Sequence, residues 1–325
     1  MRIFLTGATG YLGGVLARRL ASEGHEVRAL VRPGRDVQLL AQSGVTTFVG
    51  DILDRLSMRE GMSGADWVIH AAALVELDAS PAELERVNVE GSENVASLAY
   101  KLGVGRFLSV SSIAYFGGSP EDGTAANEDS VPIRPFPSAY SATKHAGQER
   151  VRQWARQGLK VNSIFPSLIY GPPGKRGGSN ALLRAMGRGR FPALIAGDRK
   201  TSWVHVEDVV EAIGRILKLT PPGRDYLLAG EIKTVAEVVR EVCRLSGARP
   251  PRLNLSVGTA RALLGLASPL FRLTGRRPPT SPGQLSSLAR HWAFDDMRAR
   301  SELSWQPRPL AEGLPPTLEY LLRPS

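Results

Sequence analysis

Cysteine is almost missing from this chain. Cys243 stands alone among 325 residues, so no disulfide can form within it. It falls in an apolar run with helical spacing, Val238 to Cys243, and reads as a packed thiol. Histidine is scarce as well: His25, His70, His145, His205 and His291 are scattered, and none pairs with cysteine or a second histidine at the spacing of metal ligands. No metal is therefore expected. No apolar run reaches the roughly 20 residues that cross a bilayer. A strand-like run begins at Arg2, so no removable leader is expected and the cytoplasm is the default location. Aromatic residues make up 6% and seldom interleave with basic ones. Nucleic acid is therefore not expected as a partner, although the net charge is +10.

That charge is unevenly placed. Residues 1–170 hold 17 basic and 18 acidic side chains, and residues 171–325 hold 24 and 13. Two readings of the basic second part stand. One is an arginine-rich surface. The other is recognition of an anionic substrate through Gly174-Lys175-Arg176-Gly177 and the run from Arg184 to Arg190. The composition, 42% hydrophobic and 22% charged, is that of a globular chain long enough for one large domain or two smaller ones.

Glycine is plentiful, and its placement carries the first positive signal. The stretch TGATGYLGG, Thr6 to Gly14, follows the strand-forming run Arg2 to Leu5 and precedes a helical apolar stripe from Val15 to Leu20. Gly7, Gly10 and Gly13 form GxxGxxG at this strand-to-helix junction. Glycines allow a positive φ and close approach, and a helix N-terminus offers free N–H groups and partial positive charge to a pyrophosphate. The turn reads as a dinucleotide-binding turn.

Strand-like and helical runs then alternate. Strands are expected at 25–31, 45–49, 65–70, 106–110 and 160–165, with long helices at 81–100 and 138–157. This rhythm predicts an α/β fold, a doubly wound parallel sheet with ligands at the carboxyl ends of its strands. After Pro166 the rhythm weakens into a smaller, helix-rich part, with helices expected at 207–218, 234–246, 257–268 and 310–322, loops at 249–251 and 276–282, and a strand near 225–229.

Two stretches at strand ends carry chemistry. Ser111-Ser112 follow the fifth strand, and Tyr140-Ser141-Ala142-Thr143-Lys144 opens a helix. Tyr140 and Lys144 are four apart and share one helix face. An ammonium beside a phenol is expected to lower the phenol's pKa, so that the tyrosine exchanges a proton with a carbonyl or alcohol oxygen oriented by a serine hydroxyl.

Together these stretches resemble the extended short-chain dehydrogenases/reductases, the NAD(P)-dependent epimerase/dehydratase family. The resemblance runs almost end to end, through TGATGYLG at 6–13, GDILD at 50–54, HAAA at 70–73, SVSSIAYFG at 109–117, YSATK at 140–144, FPSLIYGP at 165–172 and WVHVEDVVEAI at 203–213. It implies a Rossmann domain at 1–165, to which 203–229 return, and a substrate-binding cap at 166–202 and 230–325. It implies Ser112, Tyr140 and Lys144 as the catalytic residues. Thr9, Gly10, Tyr11 and Leu12 would contact phosphate, Asp51 and Ile52 the adenine, and Ala71, Ala72 and Ala73 the body of the cofactor. Pro166, Leu168 and Ile169 would flank the nicotinamide. A homodimer through helices near 81–101 and 138–157 is implied too. Asn88 reads either as a buried brace to the fifth strand or as a surface amide, and His205 as a structural hydrogen-bonding residue.

Two departures from the family pattern sharpen the expectation. NAD-specific members carry an acid at the end of the second strand; here Val31 stands there and Arg32 follows. Arg32, helped by Arg35, is read as pairing with a 2′-phosphate, which predicts NADP(H); a solvated arginine is the other reading. Nucleotide-sugar enzymes often place arginine four residues before the HVED histidine, where this chain has Thr201; Arg199 and Lys200 are the neighbouring substitutes. The tail Asp295 to Arg300 and Leu303-Ser304-Trp305-Gln306-Pro307 is similar to the dihydroflavonol reductase, 3-beta-hydroxysteroid dehydrogenase and hopanoid-associated branch. The expected activity is interconversion of a ketone and a secondary alcohol on an apolar substrate, steroid-, flavonoid- or ketoacid-like, with NADP(H). The alternatives are a nucleotide-sugar epimerase or dehydratase and a redox-sensing relative that catalyses nothing. Leu253 to Leu273 leaves three readings open: core packing, a wall for a greasy substrate, or peripheral contact with a membrane.

Overall fold

The computed structural model describes residues 1–75, 79–174, 178–191, 193–274 and 282–323, apart from the side chains of 267–274 and 282–283. Lys175, Arg176 and Gly177 of the first basic cluster, nearly all of the loop at 276–282 and the end of the apolar stretch lie outside the described residues.

The chain begins with the alternation read from the sequence. Strands β1 (Arg2–Thr6), β2 (Glu26–Val31), β3 (Thr46–Val49), β4 (Trp67–His70), β5 (Arg106–Val110) and β6 (Val161–Pro166) are separated by helices α1 (Tyr11–Ser22), α2 (Gln38–Gln42), α3 (Arg55–Met62), α4 (Pro81–Glu85), α5 (Gly91–Lys101) and α6 (Ala139–Arg156). There follow β7 (Leu168–Tyr170), α7 (Gly178–Gly187), β8 (Ala193–Ile195), β9 (Lys200–His205), α8 (Val206–Leu219), β10 (Asp225–Leu228), β11 (Glu231–Thr234), α9 (Val235–Ser246) and β12 (Leu253–Leu255). The described chain ends with α10 (Val257–Thr274), α11 (Pro282–Leu288), α12 (Met297–Leu303) and α13 (Leu310–Leu322).

Seven strands pair in parallel in the order β10-β6-β5-β4-β1-β2-β3. β1, β4 and β6 are buried along nearly their whole length, as strands covered on both faces must be. One face is covered by α1, α8 and α12 through Leu16, Leu20, Ile213, Ile216 and Leu303, with Trp305 just beyond α12. The other is covered by α3, α5 and α6 through Met58, Met62, Val95, Ala99 and Val151. This is the doubly wound α/β Rossmann arrangement. Because every strand runs the same way, with Thr6 level with Leu30 and His70, and His70 level with Ser109, all the post-strand loops gather at one sheet edge. Strand order reverses between β1 and β4, so the loops after them part and open a crevice.

The remainder carries its own core. Tyr170, Leu183, Trp203, Val238, Val242, Leu314 and Leu318 pack together beneath α7, α9 and α13. The three-stranded sheet β11-β9-β7 and the pair β12-β8 belong to this region, and the sequence rhythm did not disclose them. These strands are three to six residues long, too short for a clear alternation.

One expected helix is broken. The run from Pro81 divides into α4, a π turn over Arg86–Glu90, and α5. Asn88 lies within this turn and is 3% exposed.

Candidate active site

The glycine turn is built by close approach. Gly7 has φ +81°, and a Cβ there would lie 2.7 Å from the Ala71 backbone. A Cβ on Gly13 would collide with the Gly7 carbonyl. The Gly10 N–H donates to that same carbonyl at 2.9 Å and closes the turn. Gly10 caps α1 without any side-chain hydrogen bond, and the N–H groups of Tyr11, Leu12 and Gly13 find no acceptor in the chain. A groove of about 420 Å³ lies over them, lined by Thr9, Gly10, Tyr11 and Gly174 among others. Unused N–H groups at a helix start, in a cradle that only glycine permits, fit the pyrophosphate of a dinucleotide. The Tyr11 hydroxyl is itself tied up, donating to the Gly171 carbonyl at 2.5 Å, and burial pushes its pKa up. Only the backbone of Tyr11 remains for phosphate.

A chain of hydrogen bonds runs behind the turn. Thr6 Oγ1 accepts from the Ala72 N–H at 3.2 Å and lies 2.8 Å from His70 Nδ1. His70 Nε2 lies 3.0 Å from Ser92 Oγ, which donates to the Asn88 carbonyl at 2.8 Å. The Asn88 amide accepts from the Leu74 N–H at 2.8 Å, donates to the Leu74 carbonyl at 3.0 Å, and donates to Thr143 Oγ1 at 3.2 Å. Asn88 therefore braces α6 and the loop after β4, and not the fifth strand. Thr6, His70, Ser92 and Thr143 carried no role in the sequence reading. The signal available was a histidine ending an otherwise apolar strand.

Tyr140 and Lys144 lie in the first two turns of α6, which Ser138 caps by accepting from the Ser141 N–H. The Lys144 ammonium donates to the Val110 carbonyl at the end of β5, 3.3 Å away. Ser112 begins the next turn, its hydroxyl accepting from the Ala114 N–H at 3.2 Å. Both residues of the pair keep a partly exposed surface while their reactive ends lie deep in protein. Burial lowers Lys144 to about 8. Burial also raises the Tyr140 phenol, opposed by the neighbouring Ser112 hydroxyl, although these two form no hydrogen bond of standard geometry. This corrects the expectation of a phenol depressed by Lys144: enclosure in a low-dielectric site disfavours the phenolate.

The other expected cofactor contacts fall along the same edge. Arg32 and Arg35 follow β2 and are exposed, with no hydrogen-bond or ion-pair partner for either guanidinium among the described residues. Asp51 follows β3 and accepts from the Leu53 N–H; Ile52 is buried against Gly91. Ala71, Ala72 and Ala73 follow β4 and are half-buried. Pro166 ends β6, and Leu168 and Ile169 lie partly buried in β7. On the cap side Thr201 is buried, Lys200 donates to the Gly123 carbonyl at 3.0 Å, and Arg199 pairs with Glu121 at 3.1 Å. His205 caps α8 and packs edge-on to Tyr170. The Tyr115 hydroxyl donates to Glu149, with Arg152 bridging to Asp225.

The sequence model of the NAD dependent epimerase/dehydratase family matches residues 3–229, which span both the glycine turn and the Ser112, Tyr140 and Lys144 cluster. The chain belongs to this family. Among its relatives is a 4-hydroxy-2-methyl-3-oxo-4-farnesyl-3,4-dihydroquinoline-1-oxide ketoreductase of Stigmatella aurantiaca, 30% identical over 95% of this chain and 92% of its own. Sterol demethylase protein B of Methylococcus capsulatus is also 30% identical, over 94% of each chain. Among solved structures, gox2253 superposes with a TM-score of 0.84 at 26% identity, covering 98% of this chain and 97% of its own. Family members bind a nicotinamide cofactor. No helix among the described residues is long and apolar enough to cross a membrane.

His70 gives a test of the hydrogen-bonded chain. Burial, and then the Lys144 charge, lower it to about 3 against an ordinary value of 6.5. The unfolded chain therefore binds the extra proton between these values. The stability from neutral His70 is fully present above pH 6.5 and falls as pH drops toward 3, by up to about 1.4 kcal/mol per unit. In urea unfolding between those pH values, His70→Asn is expected to show a shallower loss than the parent. Equal slopes would show that His70 is not a buried neutral member of the chain.

Proposed function

We propose that this family member is an NADP(H)-dependent oxidoreductase that interconverts a ketone and a secondary alcohol on an apolar substrate. The observation that carries the reading is the enclosed Tyr140 phenol beside Ser112, on the helix that also brings the Lys144 ammonium to the carboxyl edge of β5. In this reading residues 1–165 with 203–229 hold the cofactor, and 166–202 with 230–325 cover the substrate. The N–H groups at the start of α1 bind the pyrophosphate, and Arg32 with Arg35 binds the 2′-phosphate. Asp51 and Ile52 face the adenine, Ala71 to Ala73 the cofactor's body, and Pro166, Leu168 and Ile169 the nicotinamide. The nicotinamide, when bound, supplies or accepts the hydride.

The protein's own groups manage the oxygen and its proton. Ser112 orients the carbonyl oxygen with its hydroxyl. Tyr140 gives that oxygen a proton, and the Lys144 charge stabilises the phenolate left behind. Burial keeps the phenol protonated at neutral pH, the form that reduction consumes. The relatives' names, a ketoreductase acting on a farnesylated ring and a sterol demethylase protein, support an apolar substrate here. The nucleotide-sugar alternative lacks its basic grip, since Arg199 and Lys200 are already engaged and Thr201 is buried. A second copy is proposed to pair along the helices of 81–101 and 138–156.

Tyr140→Phe is expected to bind NADPH with unchanged affinity, measured by fluorescence titration, and to lose about a hundredfold or more in kcat. Turnover within about twofold of the parent would remove Tyr140 from the chemistry. The kcat/KM for ketone reduction should be level below about pH 7 and fall as pH rises through about 8, where Lys144 loses its proton. A profile still level two units higher would show that the charge is not used. Arg32→Ala should raise KM for NADPH by roughly tenfold or more and leave NADH nearly unchanged. Equal effects on the two cofactors would assign NAD.

A further inference from the structure

Away from the crevice, one face of the C-terminal region combines unneutralised arginines with exposed leucines. From Val242 to Phe294 the sequence holds eight arginines and not one aspartate or glutamate. The fold adds two more arginines to part of this stretch. β8 pairs with β12, and a Cβ on Gly189 would lie 3.9 Å from Ala248. The end of α7, with Arg188 and Arg190, is thereby set beside the segment 249–253. Arg188, Arg190, Arg249, Arg252 and Arg261 are all exposed, and none makes an ion pair or a side-chain hydrogen bond. Arg188 feels the charges of Arg184 and Arg190 with no acid to offset them.

The leucines lie in the same segment. Leu253 of β12 is 61% exposed. α10 starts two residues after β12 ends, and its Leu263 and Leu266 are 51% and 81% exposed. These two are three apart and share a face with exposed Thr259 and Ala262. Core packing holds for Ala260 and in part for Leu255, Val257 and Leu264, and not for Leu253, Leu263 and Leu266. One exposed leucine is ordinary, but Leu253 beside Arg249 and Arg252, followed by Leu263 and Leu266 on α10, forms a mixed patch with Arg188 and Arg190; Arg261 stands on the other side of α10 from its two leucines.

We propose that this face docks on an anionic phospholipid bilayer. Leu253, Leu263 and Leu266 enter the boundary between headgroups and acyl chains, and the arginines hold the phosphates on long apolar stems. The charge argues for this occupant. A symmetric contact between two copies would bring the same four cations, Arg188, Arg190, Arg249 and Arg252, together from both sides. A nucleic acid would neutralise the arginines and leave the leucines in water.

The test is sedimentation of the full chain with vesicles of phosphatidylcholine alone or mixed with phosphatidylglycerol. Binding is expected only with the mixed vesicles and should weaken with salt. Arg249→Gln with Arg252→Gln should reduce partitioning by about fivefold per arginine. Leu263→Ser with Leu266→Ser should reduce it by about tenfold or more, with no loss of melting temperature. Failure to bind mixed vesicles overturns the proposal, as does unchanged binding of the leucine variant. Tighter binding to a DNA duplex at the same salt would reassign the face to nucleic acid. A halving of the mass in light scattering by the leucine variant would reassign it to a second copy.

Discussion

Asn88 joins the two halves of the site. Its amide holds the loop after β4 through both backbone groups of Leu74 and reaches α6 through Thr143, one residue before Lys144. The loop lines the cofactor crevice, and α6 carries the phenol and the ammonium. A buried amide whose partner is removed costs about 1–3 kcal/mol, so the arrangement is held firmly once it is formed. Gly147, whose Cβ would collide with the Asn88 carbonyl, lets α6 come close enough to be reached.

Around this tie the interior is polar yet uncharged. Thr6, His70, Ser92, Asn88 and Thr143 are neutral, and each is satisfied by the next. Burial lowers His70 to about 3, which keeps it neutral across the physiological range. Lys144 is then the one cation in the enclosure that this chain supplies, with a backbone carbonyl and no carboxylate as its partner. Its charge stays available to a neighbouring oxygen instead of being cancelled in an ion pair.

Elsewhere the protein treats its arginines in two ways. Arg308 pairs with buried Asp208, whose backbone carbonyl also accepts from Trp305, and Arg152 links Glu149 with Asp225. These guanidiniums stitch the C-terminal segments to the sheet. The four on the α7 and β12 face are left unpaired, so the excess of positive charge is concentrated there rather than spread evenly.

The sequence determined a good deal by itself. GxxGxxG between an apolar strand and a helical stripe leads to a nucleotide-binding turn, because only glycine permits the Gly7 conformation and the Gly13 contact. Strands separated by helices imply parallel pairing, and parallel pairing puts Gly7, Arg32, Asp51, Ala71 and Ser112 on one edge. The spacing of Tyr140 and Lys144 set their common face. Only the tertiary structure decided the rest. The π turn at 86–90 and the network through Asn88 depend on contacts between residues far apart in sequence, which no local period records. The same is true of the direction of the Tyr140 shift, because burial is a property of the whole enclosure. It is true also of Leu263 and Leu266, whose apolar character was plain in the sequence but whose exposure followed from what the other elements left uncovered.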